Sequence, residues 1–170
     1  PELQLTFGVT PTPQVELVAI DVEFRSGAMV ADAFFDDRMA PWVADRIKVS
    51  GDGFGNCRAL GVEHRGAIVA GLVFHNWEPD HGLIEISAAA EHRGWMTREV
   101  VRVALAYVYD GLKCQAAVAR IAAANAPARR IWQALGAEEH IIPRLYGRCL
   151  AGCIYVLTEE AWKRSRFNVR

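Results

Sequence analysis

The chain has no CxxC pair, no apolar run approaching a membrane span, no block of like charges, no low-complexity tract and no internal repeat. Each absence removes a class of protein. The four cysteines, Cys57, Cys114, Cys149 and Cys153, lack zinc-ribbon spacing, so no structural metal is expected. A helix crossing a bilayer needs about 20 apolar residues, and none is expected here. Lys plus Arg number 19 against 20 for Asp plus Glu, and a net charge of −1 gives no broad footprint for nucleic acid or an anionic membrane. No basic-then-apolar leader follows Pro1. The expectation is a cytoplasmic protein with reduced thiols, bound to neither nucleic acid nor membrane.

What is present fits a folded domain. The 170 residues are 52% hydrophobic and 23% charged, enough apolar material for one buried core in a single domain. The glycine-rich stretch Gly51-Asp52-Gly53-Phe54-Gly55 separates a poorly patterned N-terminal region from a cleaner remainder. Before it, residues 3–9 alternate as a strand and residues 41–49 read as a helix with Pro41 in its first turn. Residues 15–24 fit strand or helix equally.

After the break, residues 56–63 and 67–77 predict a hairpin, and residues 83–90 a further strand. Residues 97–110 predict a helix whose stripe is Val101, Ala104, Leu105, Val108 and Leu112, stopped at Gly111. A strand over 115–124 and a helix over 126–135 follow, the latter with Pro127 in its first turn and Gly136 as its cap. Strands near 138–145 and 149–157 and a short helix from Thr158 complete the pattern. In 149–157 both faces are apolar, with Cys149 and Cys153 on one of them as core thiols. A strand of that kind is covered on both sides, so the expectation is a three-layer α/β domain with a mixed sheet and helices on both faces.

Residues 87–98, SAAAEHRGWMTR, carry the chemistry. A strand that runs through a glycine turn into a helix start makes an anion site, because the first N–H groups of the helix lack partners. Gly94 lets backbone approach a ligand, Thr97 can cap the helix, and Arg93 and Arg98 add positive charge. Ser87, Ala88, Ala89 and Ala90 are matched by Ala116, Ala117, Ala119, Ala122, Ala123 and Ala124 on the next strand. Small side chains on both leave a slot for a slender ligand, or allow tight helix-on-sheet packing. Glu85 is a charge in an apolar strand, costly unless solvated or paired.

With these motifs, residues 54–157 resemble the GNAT superfamily of acyl-CoA-dependent N-acetyltransferases, and within it the branch of ribosomal-protein N-terminal acetyltransferases. The element order matches. The loop Glu91-His92-Arg93-Gly94-Trp95-Met96 stands where the family has Gln/Arg-x-x-Gly-x-Gly/Ala, followed by the Thr97 common in that branch. Asn125 through Leu135-Gly136 matches a second signature. The chain departs from the family at Glu91 and Met96, and at Trp132, where many relatives carry a tyrosine acid.

The resemblance implies acetyl transfer from acetyl-CoA to a primary amine, without a metal. It implies a pantetheine arm lying between two splayed central strands, flanked by Ser87, Ala88 and Ala90 and reached by Asn125. The diphosphate would rest on Arg93, Gly94, Trp95, Met96, Thr97 and Arg98, and Arg129 and Trp132 would border the cofactor. Glu85 would be the base, or else a surface or salt-bridged glutamate. The N–H near Ala88 or Ala89 would polarise the thioester, Ala89 being the expected donor. His75, Trp77 and Glu78 would border the acceptor, a small molecule or a peptide, and His75 and Glu78 are reserve candidates for the base or else loop or packing residues. Residues 1–50 would form the acceptor side, 54–157 the cofactor core and 158–170 a C-terminal helix and tail. Homodimers are common in the family. The alternative is a CoA-binding sensor or assembly module of the same fold, motivated by Glu91, Met96 and Trp132.

Overall fold

The computed structural model of the chain describes residues 32–49, 53–92 and 94–168. The expected strand at 3–9, the ambiguous segment 15–24, Gly51, Asp52 and Arg93 lie outside them.

The described residues form a seven-stranded mixed sheet in the order β1-β2-β3-β4-β5-β7-β6. The strands are β1 (Asp32–Phe35), β2 (Cys57–His64), β3 (Ala67–Glu78), β4 (Leu83–Ala90), β5 (Ala116–Ala122), β6 (Glu138–Ile142) and β7 (Gly152–Thr158). All neighbours are antiparallel except β4 and β5, which run parallel. The parallel connection is made by a helix, as such crossovers require.

Helix α1 (Met39–Ile47) covers one face, burying Met39, Ala40 and Val43 against Ala59, Val73 and Ala89. Gly71 lies beneath it, since a Cβ there would meet Val43 at 2.7 Å. Helices α2 (Arg98–Ala106), α3 (Ala126–Leu135) and α4 (Glu159–Arg164) bring Val101, Ile131 and Trp162 to the core on the other face, with Leu72, Phe74, Ile84 and Ile86. The three-layer mixed architecture expected from the pattern is present. No helix among the described residues is long and apolar enough to cross a membrane.

Three boundaries differ from the sequence expectation. The helix after Thr97 widens into a π-helical turn over Tyr107–Gly111, and the left-handed residue that ends it is Lys113 (φ 57°), not Gly111. The strand expected at 138–145 ends at Ile142, and the one expected at 149–157 begins at Gly152. Between them the chain folds back, with Tyr146 N–H donating to the Leu150 carbonyl at 3.1 Å. Cys149 therefore stands exposed in a turn, while Cys153 is a buried core thiol as expected. The alternation around Cys149 continues past the strand, so periodicity alone could not mark its start.

Candidate functional site

Strands β4 and β5 pair only over Leu83↔Ala116, Ile84↔Ala117 and Glu85↔Val118. Beyond that point β4 stays with β3 as far as Ala70↔Ala90, and β5 stays with β7 as far as Ala122↔Gly152. The two strands part. Between them lies a crevice of about 1010 Å³, walled by Ser87 and residues 88–90 on one side and residues 119–124 on the other. Helices α2 and α3 supply its floor, with Leu105, Ile131 and Trp132 among the lining side chains.

The direction of the β4 backbone follows from two bonds. Glu91 N–H donates to Val69 on β3 at 2.9 Å, whereas the Gly82 carbonyl accepts from Gln115 on the β5 side at 2.7 Å. Successive residues of a strand point their polar groups to opposite sides. Ile86, Ala88 and Ala90 thus aim backbone groups toward the crevice, while Ala89 aims its own at Gly71. Ala89, the expected donor, thus points its N–H at β3, and the crevice-facing N–H is that of Ala88.

At the crevice end stands the loop. Gly94 has φ 80°, a left-handed conformation that a non-glycine residue adopts only with strain. Thr97 caps α2 by accepting from Val100 N–H at 3.2 Å. The N–H groups of Gly94, Trp95 and Met96 have no backbone partner among the described residues. Trp95 is buried, lines the crevice, and its indole Nε1 has no hydrogen-bond partner among the described residues. Such orphaned donors beside a helix start suit an anionic ligand.

Glu91 turns away from this donor set. Its carboxylate is held by the Arg46 guanidinium on α1, Nε to Oε1 at 2.8 Å, and Arg46 stacks over Trp42 at 3.5 Å. Two arginines expected at the cofactor are engaged elsewhere. Arg98 donates to the Arg166 carbonyl at 2.8 Å. Arg129 makes a forked pair with Glu139 at 2.9 and 3.1 Å and donates to the Ala123 carbonyl at 3.0 Å. Glu139 sits one strand away and captures Arg129, a partnership that one-dimensional spacing hides. Asn125 lines the crevice, but its Oδ1 caps α3 by accepting from Ala128 N–H at 3.2 Å. Trp132 lines the crevice and packs against Tyr155.

The polar end gathers His75, Asn76, Glu85, Ser87, Arg120 and Tyr146. Glu85 Oε1 accepts from Arg120 Nε at 2.6 Å, and Oε2 accepts from Asn76 Nδ2 at 2.9 Å. Asn76 reaches it from a left-handed backbone (φ 49°) at the β3 irregularity. Burial works against the Arg120 charge, but the Glu85 hydrogen bond and charge outweigh it and raise its pKa. His75 is 5% exposed, and its Nε2 lies 2.9 Å from Ser87 Oγ. Burial pushes the imidazole below its usual pKa, against the pull of Glu85 and with the help of Arg120. Burial likewise raises the Tyr146 hydroxyl.

Trp77 and Glu78 do not join this group. Trp77 is 48% exposed, and Glu78 pairs with His81 outside the crevice. The strand twists past its last buried residue at His75, which separates them. Among the described residues no three His, Cys, Asp or Glu side chains cluster to hold a metal. Sequence reasoning missed Arg120, Asn76, Arg46 and Tyr146. Arg120 carried a signal, a lone charge in an alanine-rich strand, the same feature that drew attention to Glu85.

No protein-family model and no curated protein sequence matches the chain. Solved structures do. A spermidine N-acetyltransferase SpeG variant from Vibrio cholerae superposes with a TM-score of 0.67 at 13% identity, covering 79% of this chain and 96% of that one. A dodecameric spermidine N-acetyltransferase from the same organism gives 0.57 at 15%, covering 65% and 69%. A GCN5-related N-acetyltransferase from Brucella melitensis gives 0.56 at 18%, covering 76% and 60%. The match spans 62% of the length of a T. thermophilus structure assigned as an acetyltransferase, under two thirds of that protein. At these identities the likeness is one of fold: the chain has the GNAT acetyltransferase fold.

Proposed function

We infer that the protein moves an acetyl group from acetyl-CoA to a primary amine by direct attack in a ternary complex. One observation carries the reading. The central strands open beside backbone N–H groups that have no backbone partner among the described residues, in a crevice lined by alanines. A pantetheine arm would bond the inward backbone of Ile86, Ala88 and Ala90 in place of a strand, and its diphosphate would meet the N–H groups of Gly94, Trp95 and Met96. Arg93 and Thr97 belong to the same proposed grip. Ala88 N–H would polarise the thioester carbonyl, where charge develops during attack.

The whole chain is taken as one acyltransferase domain, with residues 54–157 as its cofactor core. Acceptors to test are polyamines, which the V. cholerae enzymes acetylate by name, and peptide α-amines, which the loop's likeness to the ribosomal-protein branch suggests. A CoA-binding module without turnover is the second reading, favoured by Trp132 at the expected acid position and by the engagement of both Glu85 oxygens. Calorimetric titration with acetyl-CoA and thiol release across an amine panel separate the two. Binding with release supports transfer, binding without release for every amine supports the module, and no binding defeats both.

A further inference from the structure

Resting on the transfer reading, we propose that the acceptor amine is deprotonated through a two-member relay, Ser87 Oγ to His75 Nε2, while Glu85 positions the polar end instead of serving as the base. Three observations support this. Ser87 and His75 both line the crevice beside Ala88, and their reactive atoms lie 2.9 Å apart. His75 is 5% exposed, so the half-buried Ser87 hydroxyl is its outlet toward a ligand. Glu85 has a donor on each oxygen, Arg120 and Asn76, and taking a proton would disrupt a charge-assisted pair.

The groups around His75 favour a neutral imidazole. Glu85 faces it from β4, Arg120 from β5, Cys57 from β2 and the Phe54 ring at 4.8 Å, with Asn76 next in the chain. Glu85 and Arg120 oppose each other in sign, so burial decides the balance. A neutral imidazole accepts the Ser87 hydroxyl proton while Ser87 Oγ takes one from the incoming ammonium.

The step balances. The freed amine nitrogen attacks the thioester carbonyl carbon and a C–N bond forms. The C–S bond breaks with its electron pair going to sulfur. The remaining extra proton on nitrogen passes to the thiolate, giving amide and free thiol. His75 returns the first proton to solvent.

The test is the pH dependence of thiol release from acetyl-CoA, with spermidine, tyramine and a serine-initiated tripeptide as acceptor probes. His75→Gln keeps a hydrogen-bonding group beside Ser87. It should lower kcat/KM at pH 7 by ~10²–10³-fold, with acetyl-CoA affinity unchanged by calorimetry. Its rate should climb about tenfold per pH unit toward the amine pKa, because only amine already neutral can then react. Glu85→Gln should lose less than about tenfold and keep the wild-type acid limb. Should His75→Gln fail to fold, Ser87→Ala carries the same test: a smaller loss and a steeper pH dependence. A wild-type acid limb in His75→Gln or Ser87→Ala overturns the relay and leaves transfer standing. Wild-type protein that binds acetyl-CoA but releases no thiol with any probe overturns both.

Discussion

Over residues 83–85, β4 and β5 are hydrogen-bonded neighbours; over residues 86–90 and 119–122 each keeps only its outer partner. The two stretches share strands and helices, yet one is a closed ladder and the other a crevice. One ion pair spans the boundary, with Glu85, the last paired residue of β4, tied to Arg120 on the open part of β5. The open stretch carries most of the alanines. Leaving backbone groups unpaired forgoes about 1 kcal/mol for each hydrogen bond not made, so the opening runs against the local preference of the sheet. It persists because β3 and β7 complete the outer ladders. The opening is the part of the fold proposed to take the cofactor.

Filling the open stretch should have the largest effect. Ala88→Leu adds three carbons at a half-buried position in the crevice wall. Overlap with a bound arm should weaken acetyl-CoA binding by up to about 100-fold. The melting temperature should move only a few degrees, since the added atoms enter empty space. Calorimetry paired with thermal melts checks this, and unchanged affinity would place the arm elsewhere.

Next in size is the loop that ends the open stretch. Gly94 has φ 80° with nothing within 4 Å of a would-be Cβ, so the backbone angle, not crowding, selects glycine. Gly94→Ala carries only the strain, about 1–2 kcal/mol. Gly94→Asp adds a carboxylate at the proposed diphosphate and should lower acetyl-CoA affinity a further ~10-fold, an effect that salt weakens. Equal affinities for the two variants would remove the anion from this loop.

The ion pair between the two stretches should respond in stability more than in binding. Arg120→Ala breaks a pair whose arginine side chain is 53% exposed and whose glutamate is 15% exposed. Solvent screens half of such a bridge, so the loss in urea unfolding should be about 1 kcal/mol or less. A loss several times larger would mean that the Glu85 charge is stranded when Arg120 is gone.

The helices were the most legible elements. Thr97 caps α2 as expected, Gly136 ends α3, and the Val101–Ala104–Leu105–Val108 stripe is buried. Local hydrogen bonding and periodicity fix such features, so sequence carries them. The crevice-lining alanines were legible as small residues on two strands, though only coordinates distinguish a slot from tight packing. The partnerships were not legible. Arg129 with Glu139, Arg46 with Glu91 and Glu85 with Arg120 join residues on different elements, and register determines them. The Ala89 expectation failed by one residue for the same reason: which N–H faces inward depends on the ladder. Cys149 was misplaced because a turn interrupts an apolar run that reads as one strand.

The smallest expected effect bears on the histidine between the two stretches. Burial holds the His75 pKa below its usual value, so the unfolded chain binds the proton more readily than the fold. Stability from this group is therefore present above the unfolded pKa of ~6.5 and is lost as pH falls through the folded value. At pH 6 the loss is at most ~0.8 kcal/mol, and it grows with further acidification. Urea midpoints measured from pH 8 to pH 5 should decline for the wild type and decline less for His75→Gln, whatever offset the substitution adds at neutral pH. Parallel slopes would mean that His75 takes up its proton as readily inside the fold as outside. The imidazole would then be solvated, and the wall between the closed and open stretches would be wet where the packing of Phe54 and Ser87 has it dry.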